Sequence, residues 1–204
     1  MSLIVAGNLK TEDDKKVVNT VYEASLRDPV MRPAETELKA FAYSVNDEFG
    51  EIDSRVYLEE LDVSQVRFKN NVRLNLKKTE FEKDTIHIQI RLGGGLLSTP
   101  EGLRGLPYLA SATYVNGGLL EHSSDEIKRI FAGKTVGVNF SVGSDAFILS
   151  GTTNSGDFWH QLELLRAYVV APGYREESII QVQRNFDRLY RQLSQTPRGI
   201  LENG

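Results

Sequence analysis

Apolar and polar positions alternate in a few short runs of this chain and recur at helical spacing in others, and the order of the two patterns outlines a fold. Val66-Arg67-Phe68 leads into Asn70-Asn71, beyond which Val72, Leu74 and Leu76 alternate with Arg73, Asn75 and Lys77. Asparagine tolerates positive φ, so this stretch reads as a tight hairpin whose second strand has one wet face. Ile86, Ile88, Ile90 and Leu92 alternate with His87, Gln89 and Arg91 in the same way. That strand runs into Gly93-Gly94-Gly95, residues that let the backbone turn sharply.

Helical spacing follows. Thr99-Pro100-Glu101 places a cap residue before a proline at the first helical position, opening a helix to about Tyr114 that Asn116-Gly117-Gly118 stops. Ser123-Ser124-Asp125-Glu126 has the spacing of a capping box for a short helix through Phe131, closed by Gly133. Val136, Val138, Phe140 and Val142 then alternate, Gly143-Ser144-Asp145 turns, and Phe147 to Thr152 returns as a second hairpin. Asp157 is placed to cap a helix with Phe158, Leu162 and Leu165 on one stripe, ended by Pro172-Gly173. A last helix from about Glu176 carries Ile179, Val182, Phe186, Leu189 and Leu193.

With Val66-Arg67-Phe68 taken as the lead into them, two strands, two helices, two strands and two helices predict an α+β fold, a two-layer sandwich with helices on one face of a mostly antiparallel sheet. Before this core, Val17, Val18, Val21, Tyr22 and Leu26 sit at helical spacing between about Thr11 and Leu26, with Pro29 and Pro33 as stops. From Ala34 to Glu59 the pattern is weak, broken at Asn46-Asp47 and Phe49-Gly50. Residues 1–60 read as a connecting arm with one or two helices, the alternative being an integral layer of the domain. Residues 61–196 read as the α+β domain, and 197–204 as a truncated link to a following domain, because the chain stops on a turn dipeptide after a helical pattern.

Composition narrows the chemistry. With 40% hydrophobic and 25% charged residues the chain is ordinary for a globular protein, and its 204 residues suffice for one substantial core. The net charge of −4 comes from mixed acids and bases along the sequence, so no basic stripe offers a phosphate backbone a track and no nucleic-acid partner is expected. The absence of cysteine removes disulfides, thiolate metal sites and a cysteine nucleophile together. Apolar runs fall short of the roughly 18 residues that span a bilayer, and Met1 to Ala6 is too short for a signal peptide, so no membrane partner is expected either.

Candidate chemical groups are sparse. His87, His122 and His160 fall on a strand, a turn and a helix; Glu121-His122 with Asp125 and Glu126 could form a surface metal site, but no second imidazole stands at ligand spacing, so a solvated turn is expected. His87 and Gln89 are expected on a wet strand face and His160 on a helix surface. Gly143-Ser144-Asp145 is a turn rather than a nucleophile elbow. The adjacent acids Asp13-Asp14 and Glu176-Glu177 point different ways on a helix and cannot share a substrate. Trp159 is expected to pack, and Tyr108 to be a core tyrosine with its hydroxyl at the rim.

One stretch carries a resemblance. Gly105-Leu106-Pro107-Tyr108-Leu109-Ala110-Ser111-Ala112, set behind the triple glycine and Pro100, resembles the metal-binding helix of the pitrilysin/insulinase (inverzincin) zinc metallopeptidases, whose signature is His-x-x-Glu-His. The segment from Val66 to Lys77 is similar to the start of the second half of large single-chain bacterial members, and Ser141 to Phe147 to a hairpin of the family's repeated domain. The likeness runs from about Leu61 to about Leu193. The three motif positions here read Tyr108, Ser111 and Ala112. The family's third ligand, a helical glutamate roughly 70 to 80 residues further on, falls where this chain has Gln181 and Gln183.

The resemblance therefore implies a non-catalytic, substrate-enclosing domain of a zinc-dependent metalloendopeptidase that degrades peptides. Catalytic and metal-ligating residues are expected to be absent from this segment, the degenerate positions being Tyr108, Ser111, Ala112 and Gln183. Zinc is expected in an N-terminal half of a longer parent, in the bacterial periplasm or cytoplasm. The implied partners are that zinc-bearing half, the following domain of the same chain and a peptide substrate, which would add as a strand at an exposed sheet edge. The rival implication is a binding or scaffold module related to non-peptidase core subunits. An independent hydrolase with an unrecognised site is the third.

Overall fold

Two three-stranded antiparallel sheets frame this computed structural model, which describes residues 13–27, 39–44, 50–103 and 105–195. The chain divides into two compact units, Met1–Glu37 and Leu38–Gly204. The first holds helix α1 (Asp14–Ser25), opened by Asp13, whose carboxylate accepts the Lys16 N–H at 3.1 Å. This is the helix its apolar spacing predicts. Its expected stops at Pro29 and Pro33, the break at Asn46-Asp47 and the stretch from Thr196 lie outside the described residues.

In the second unit, β1 (Ile52–Leu58), β2 (Val63–Phe68) and β3 (Arg73–Leu76) pair in that order. The β2–β3 hairpin turns at Asn70-Asn71 as its sequence predicts, with Asn71 at φ 68° and its N–H donating to Phe68 O at 2.9 Å. Strand β1 lies in the stretch whose pattern is weak. A register shift between Ile52 and Ser54 breaks the two-residue period there, which is why alternation does not announce it.

The second sheet has the order β4-β6-β5, from β4 (Ile86–Leu92), β5 (Asn139–Val142) and β6 (Phe147–Thr153). Its registers run from Ile86↔Thr153 to Leu92↔Phe147 and from Asn139↔Ser150 to Val142↔Phe147. One face places His87, Gln89, Ser150 and Thr152 toward water, and the other joins a core of Leu119, Ile127, Phe131, Phe140, Leu149, Leu164, Leu165, Ala167 and Tyr168. Burial of such side chains contributes roughly 1.5–3 kcal/mol each, so this core carries most of the unit's stability.

Helices α2 (Leu106–Thr113), α3 (Ser124–Ile130), α4 (Phe158–Val170) and α5 (Glu176–Gln195) complete an α+β domain. α4 packs on β6, and α2 packs on both β5 and α5. Ser123 forms the full capping box of α3: its Oγ accepts Glu126 N–H at 3.2 Å and Glu126 Oε2 accepts Ser123 N–H at 2.7 Å.

Three local expectations need correction. The helix expected from Thr99-Pro100 begins only at Leu106, because Gly102 sits at φ 90° and breaks the backbone path, leaving a turn in which Leu103 N–H donates to Pro100 O. Asp157 does not cap α4 through its side chain; that carboxylate instead accepts Thr135 N–H at 2.7 Å. The buried stripe of α4 is Gln161, Leu164, Leu165, Ala167 and Tyr168, so of the expected Phe158, Leu162 and Leu165 only Leu165 is fully buried, the other two being half-buried at its margin.

Candidate functional site

The triple glycine ends β4 by folding back onto the β5–β6 hairpin. Gly93 and Gly95 take φ of 60° and 54°, which disfavours any side chain, and Leu96 and Leu97 N–H then donate to Gly143 and Ser144 carbonyls at 2.9 and 3.1 Å. At its far end α2 is locked by Tyr114, whose ring stacks on Phe140 at 4.3 Å and whose hydroxyl donates to Tyr168 O at 2.5 Å. Tyr168 in turn donates its hydroxyl to Val115 O at 3.0 Å. Burial is the main cause pushing both phenols up to about 12, with Tyr174 adding to it at Tyr114 and Tyr114 adding to it at Tyr168.

Helices α2 and α5, which pack on each other, carry the four singled-out positions. Tyr108 is 58% exposed, correcting its expected place in the core, and its ring rests on Phe186 of α5 at 5.1 Å. Ser111 donates its hydroxyl to Pro107 O one turn back at 2.8 Å, a bond that helical serines use to satisfy themselves locally. Ala112 is half-buried, and Gln183 is exposed on α5, one turn before Phe186. Trp159 is 66% exposed rather than packed, because it lies outside the buried stripe of α4.

The histidines divide. His87 lies on the wet face as expected, Nδ1 3.1 Å from Thr152 Oγ1 and Nε2 3.1 Å from Glu82. It borders a shallow hollow of about 840 Å³ with Gln89, Lys134, Asn139 and Ser150. His160 is half-buried on α4, 3.5 Å from Glu163. His122 overturns its expected solvated turn: it is 1% exposed, because Phe41 and Tyr43 cover it from 80 residues away. Among the described residues no three His, Asp or Glu side chains gather in a way that could hold a metal ion.

Two residues that sequence reasoning passes over shape this region. Arg175 donates to the carbonyls of Gly117, Leu119, Leu120 and His122 at 2.6–3.1 Å, fixing the loop between α2 and α3. Gln161, wholly buried, holds Gly137 beside β6. A polar residue on the apolar side of a helix is the signal that could have found Gln161. Beyond that point β5 pairs with β6 alone among the described residues, so its outer edge has no strand partner there. An open antiparallel edge can accept the backbone of an extended peptide.

No protein-family model matches the chain, and no curated protein matches its sequence. Solved structures do match. The periplasmic protease PqqL from Escherichia coli is similar with a TM-score of 0.68 and 20% identity, over 88% of this chain and 20% of that one. The ferredoxin protease FusC, solved as a point mutant in complex with Arabidopsis ferredoxin, is similar with a TM-score of 0.64 and 16% identity, over 92% of this chain and 21% of that one. The chain thus spans about a fifth of the length of each neighbour, and at this identity the likeness shows a fold shared with a domain-sized part of each.

Proposed function

We propose that this chain is a non-catalytic, substrate-enclosing domain of a zinc-dependent metalloendopeptidase that degrades peptides. The observation carrying the proposal is the chemistry of the four positions on α2 and α5. Zinc takes imidazole, thiolate or carboxylate, and a catalytic site adds a carboxylate that accepts a proton from the metal-bound water. Tyr108, Ser111, Ala112 and Gln183 offer a phenol on an aromatic ring, a hydroxyl turned to Pro107, a methyl and a neutral amide. That donor set does not fit zinc. The fold shared with two proteases supports the family, and the chain's share of their length supports a metal held elsewhere in a longer protein.

In this reading the domain supplies chamber wall and peptide affinity. An extended substrate adds along the open edge of β5, where main-chain hydrogen bonds are independent of substrate sequence. Its partners are a zinc-bearing half of the same parent, the following domain and the peptide itself.

Metal analysis of the purified chain, with cleavage of a quenched peptide library in the presence and absence of chelator, tests the proposal. The expected result is no bound zinc and no cleavage, with chelator-sensitive cleavage gained on adding the zinc-bearing half. About one equivalent of zinc with chelator-sensitive cleavage by the chain alone would overturn it.

A further inference from the structure

We infer that Phe41-Ala42-Tyr43 is a clip held on an acid-sensitive seat, and that the switch is His122. The seat is rigid. Leu119 and His122 exchange backbone hydrogen bonds at 2.8 and 3.3 Å across a tight turn, Gly118 enters it at φ 65°, and Arg175 ties down four carbonyls in and beside it. The imidazole that this turn presents inward is 1% exposed.

Three contacts hold the clip. Ala42 N–H donates to His122 Nε2 at 3.0 Å, Phe41 stacks on the imidazole at 5.7 Å with 16° between planes, and the Tyr43 hydroxyl accepts Glu121 N–H at 2.9 Å. Phe41 also meets Phe131 edge-on at 4.9 Å, which joins the clip to the core. Accepting from Ala42 requires a bare Nε2, so the proton of the neutral ring sits on Nδ1, and Nδ1 has no hydrogen-bond partner among the described residues.

A second proton is incompatible with this seat. It would turn Nε2 from acceptor to donor, set two N–H groups against each other, and place a cation in an aromatic enclosure. The charged groups around the ring pull both ways. From α3, Glu126 is the facing acid; the Ser123 backbone and hydroxyl hold its carboxyl below the usual range and its Oε2 accepts Ser123 N–H, so its charge favours a cation on the ring without giving Nε2 an acceptor in place of Ala42 N–H. Lys39, beside the clip, opposes a nearby cation, and Arg175 adds positive charge on the backbone side. Glu121 is exposed, and His160 of α4 meets Phe131 on its own edge at 6.0 Å. Proton uptake by His122 is therefore coupled to release of the clip, because the turn is tied down and a three-residue segment is the movable partner.

Hydrogen exchange of the Ala42 amide, corrected for its intrinsic rate, reads the switch directly. In the wild-type chain Ala42 protection is expected to fall at least about tenfold between about pH 8 and about pH 5, the range in which histidine changes charge, while Leu149 protection stays constant. His122→Gln keeps an acceptor oxygen but cannot titrate, so its Ala42 protection should be flat. Flat protection in the wild type, or an equal fall in His122→Gln, overturns the inference. Ring-nitrogen NMR of the wild-type chain makes the test independent of that variant: Nε2 should be unprotonated at neutral pH and gain its proton at the midpoint at which Ala42 is released. A proton on Nε2 at neutral pH, or two separate midpoints, also overturns it.

Discussion

The side-chain amide of Gln161 engages both backbone groups of Gly137: its Oε1 accepts Gly137 N–H and its Nε2 donates to Gly137 O, each at 2.8 Å. The glutamine is wholly buried, and Gly151 on β6 leaves the room that a methyl group would take from it. A side chain thus stands in for a strand where the segment before β5 leaves the ladder of β6. Replacing Gln161 with Leu strands a buried donor and a buried acceptor together, so stability should fall by about 2–4 kcal/mol. Urea unfolding checks it, and Gln161→Glu, which loses the donor to Gly137 O, should be destabilised as well.

Gly95 is the tightest point of the triple glycine. A Cβ there would lie 2.5 Å from Ala146 N and nearer still to the Gly143 carbonyl oxygen, at a φ of 54°. Gly95→Ala should therefore cost more than about 2 kcal/mol from overpacking added to backbone strain. Gly102, at φ 90° with nothing within 4 Å of an added Cβ, isolates the strain alone, so Gly102→Ala should cost about 1–2 kcal/mol. Thermal midpoints of the two variants measure the difference.

At the alkaline end, Tyr114 and Tyr168 are pushed up to about 12 chiefly by burial, while an unfolded tyrosine ionises near 10. The folded state holds its phenolic protons over that interval and the unfolded state does not. The stability they contribute is complete below about pH 10 and is lost as pH rises toward about 12. Phenolate absorbance should show these two rings titrating late, and Tyr114→Phe should reduce the alkaline loss.

At the acid end the sign reverses. Ser123 N–H holds Glu126 below the usual carboxylate range and Thr135 N–H does the same for Asp157, so their contribution is present above that range and lost as pH falls through the lowered values. Glu126→Gln should flatten part of the acid limb of a stability–pH profile. Ser123→Ala should cost about 1 kcal/mol at neutral pH through loss of the cap.

Much of the fold is legible along the chain because its signals are local. Period-two runs at Leu74 to Leu76 and Ile86 to Ile90, the Asn70-Asn71 turn and the Ser123–Glu126 box each contain their own cause within a few residues. The candidate site is legible only in part. That Tyr108, Ser111, Ala112 and Gln183 carry no strong zinc-ligand group is a matter of residue type, whereas the packing of Tyr108 on Phe186 depends on how α2 meets α5.

By itself, then, the sequence determined the order of strands and helices from β2 onward, the two hairpins and the kinds of chemistry its residues could offer, since backbone preference and side-chain type act over one or two turns. Tertiary structure alone decided that Trp159 faces outward and that Gln161 is buried. It also decided that β1 joins β2, and that His122 is enclosed by Phe41 and Tyr43. Each of those outcomes depends on a partner distant in the chain or on the rotation of a helix against a sheet, and hydrophobic burial, being non-directional, leaves no local mark of which partner will arrive.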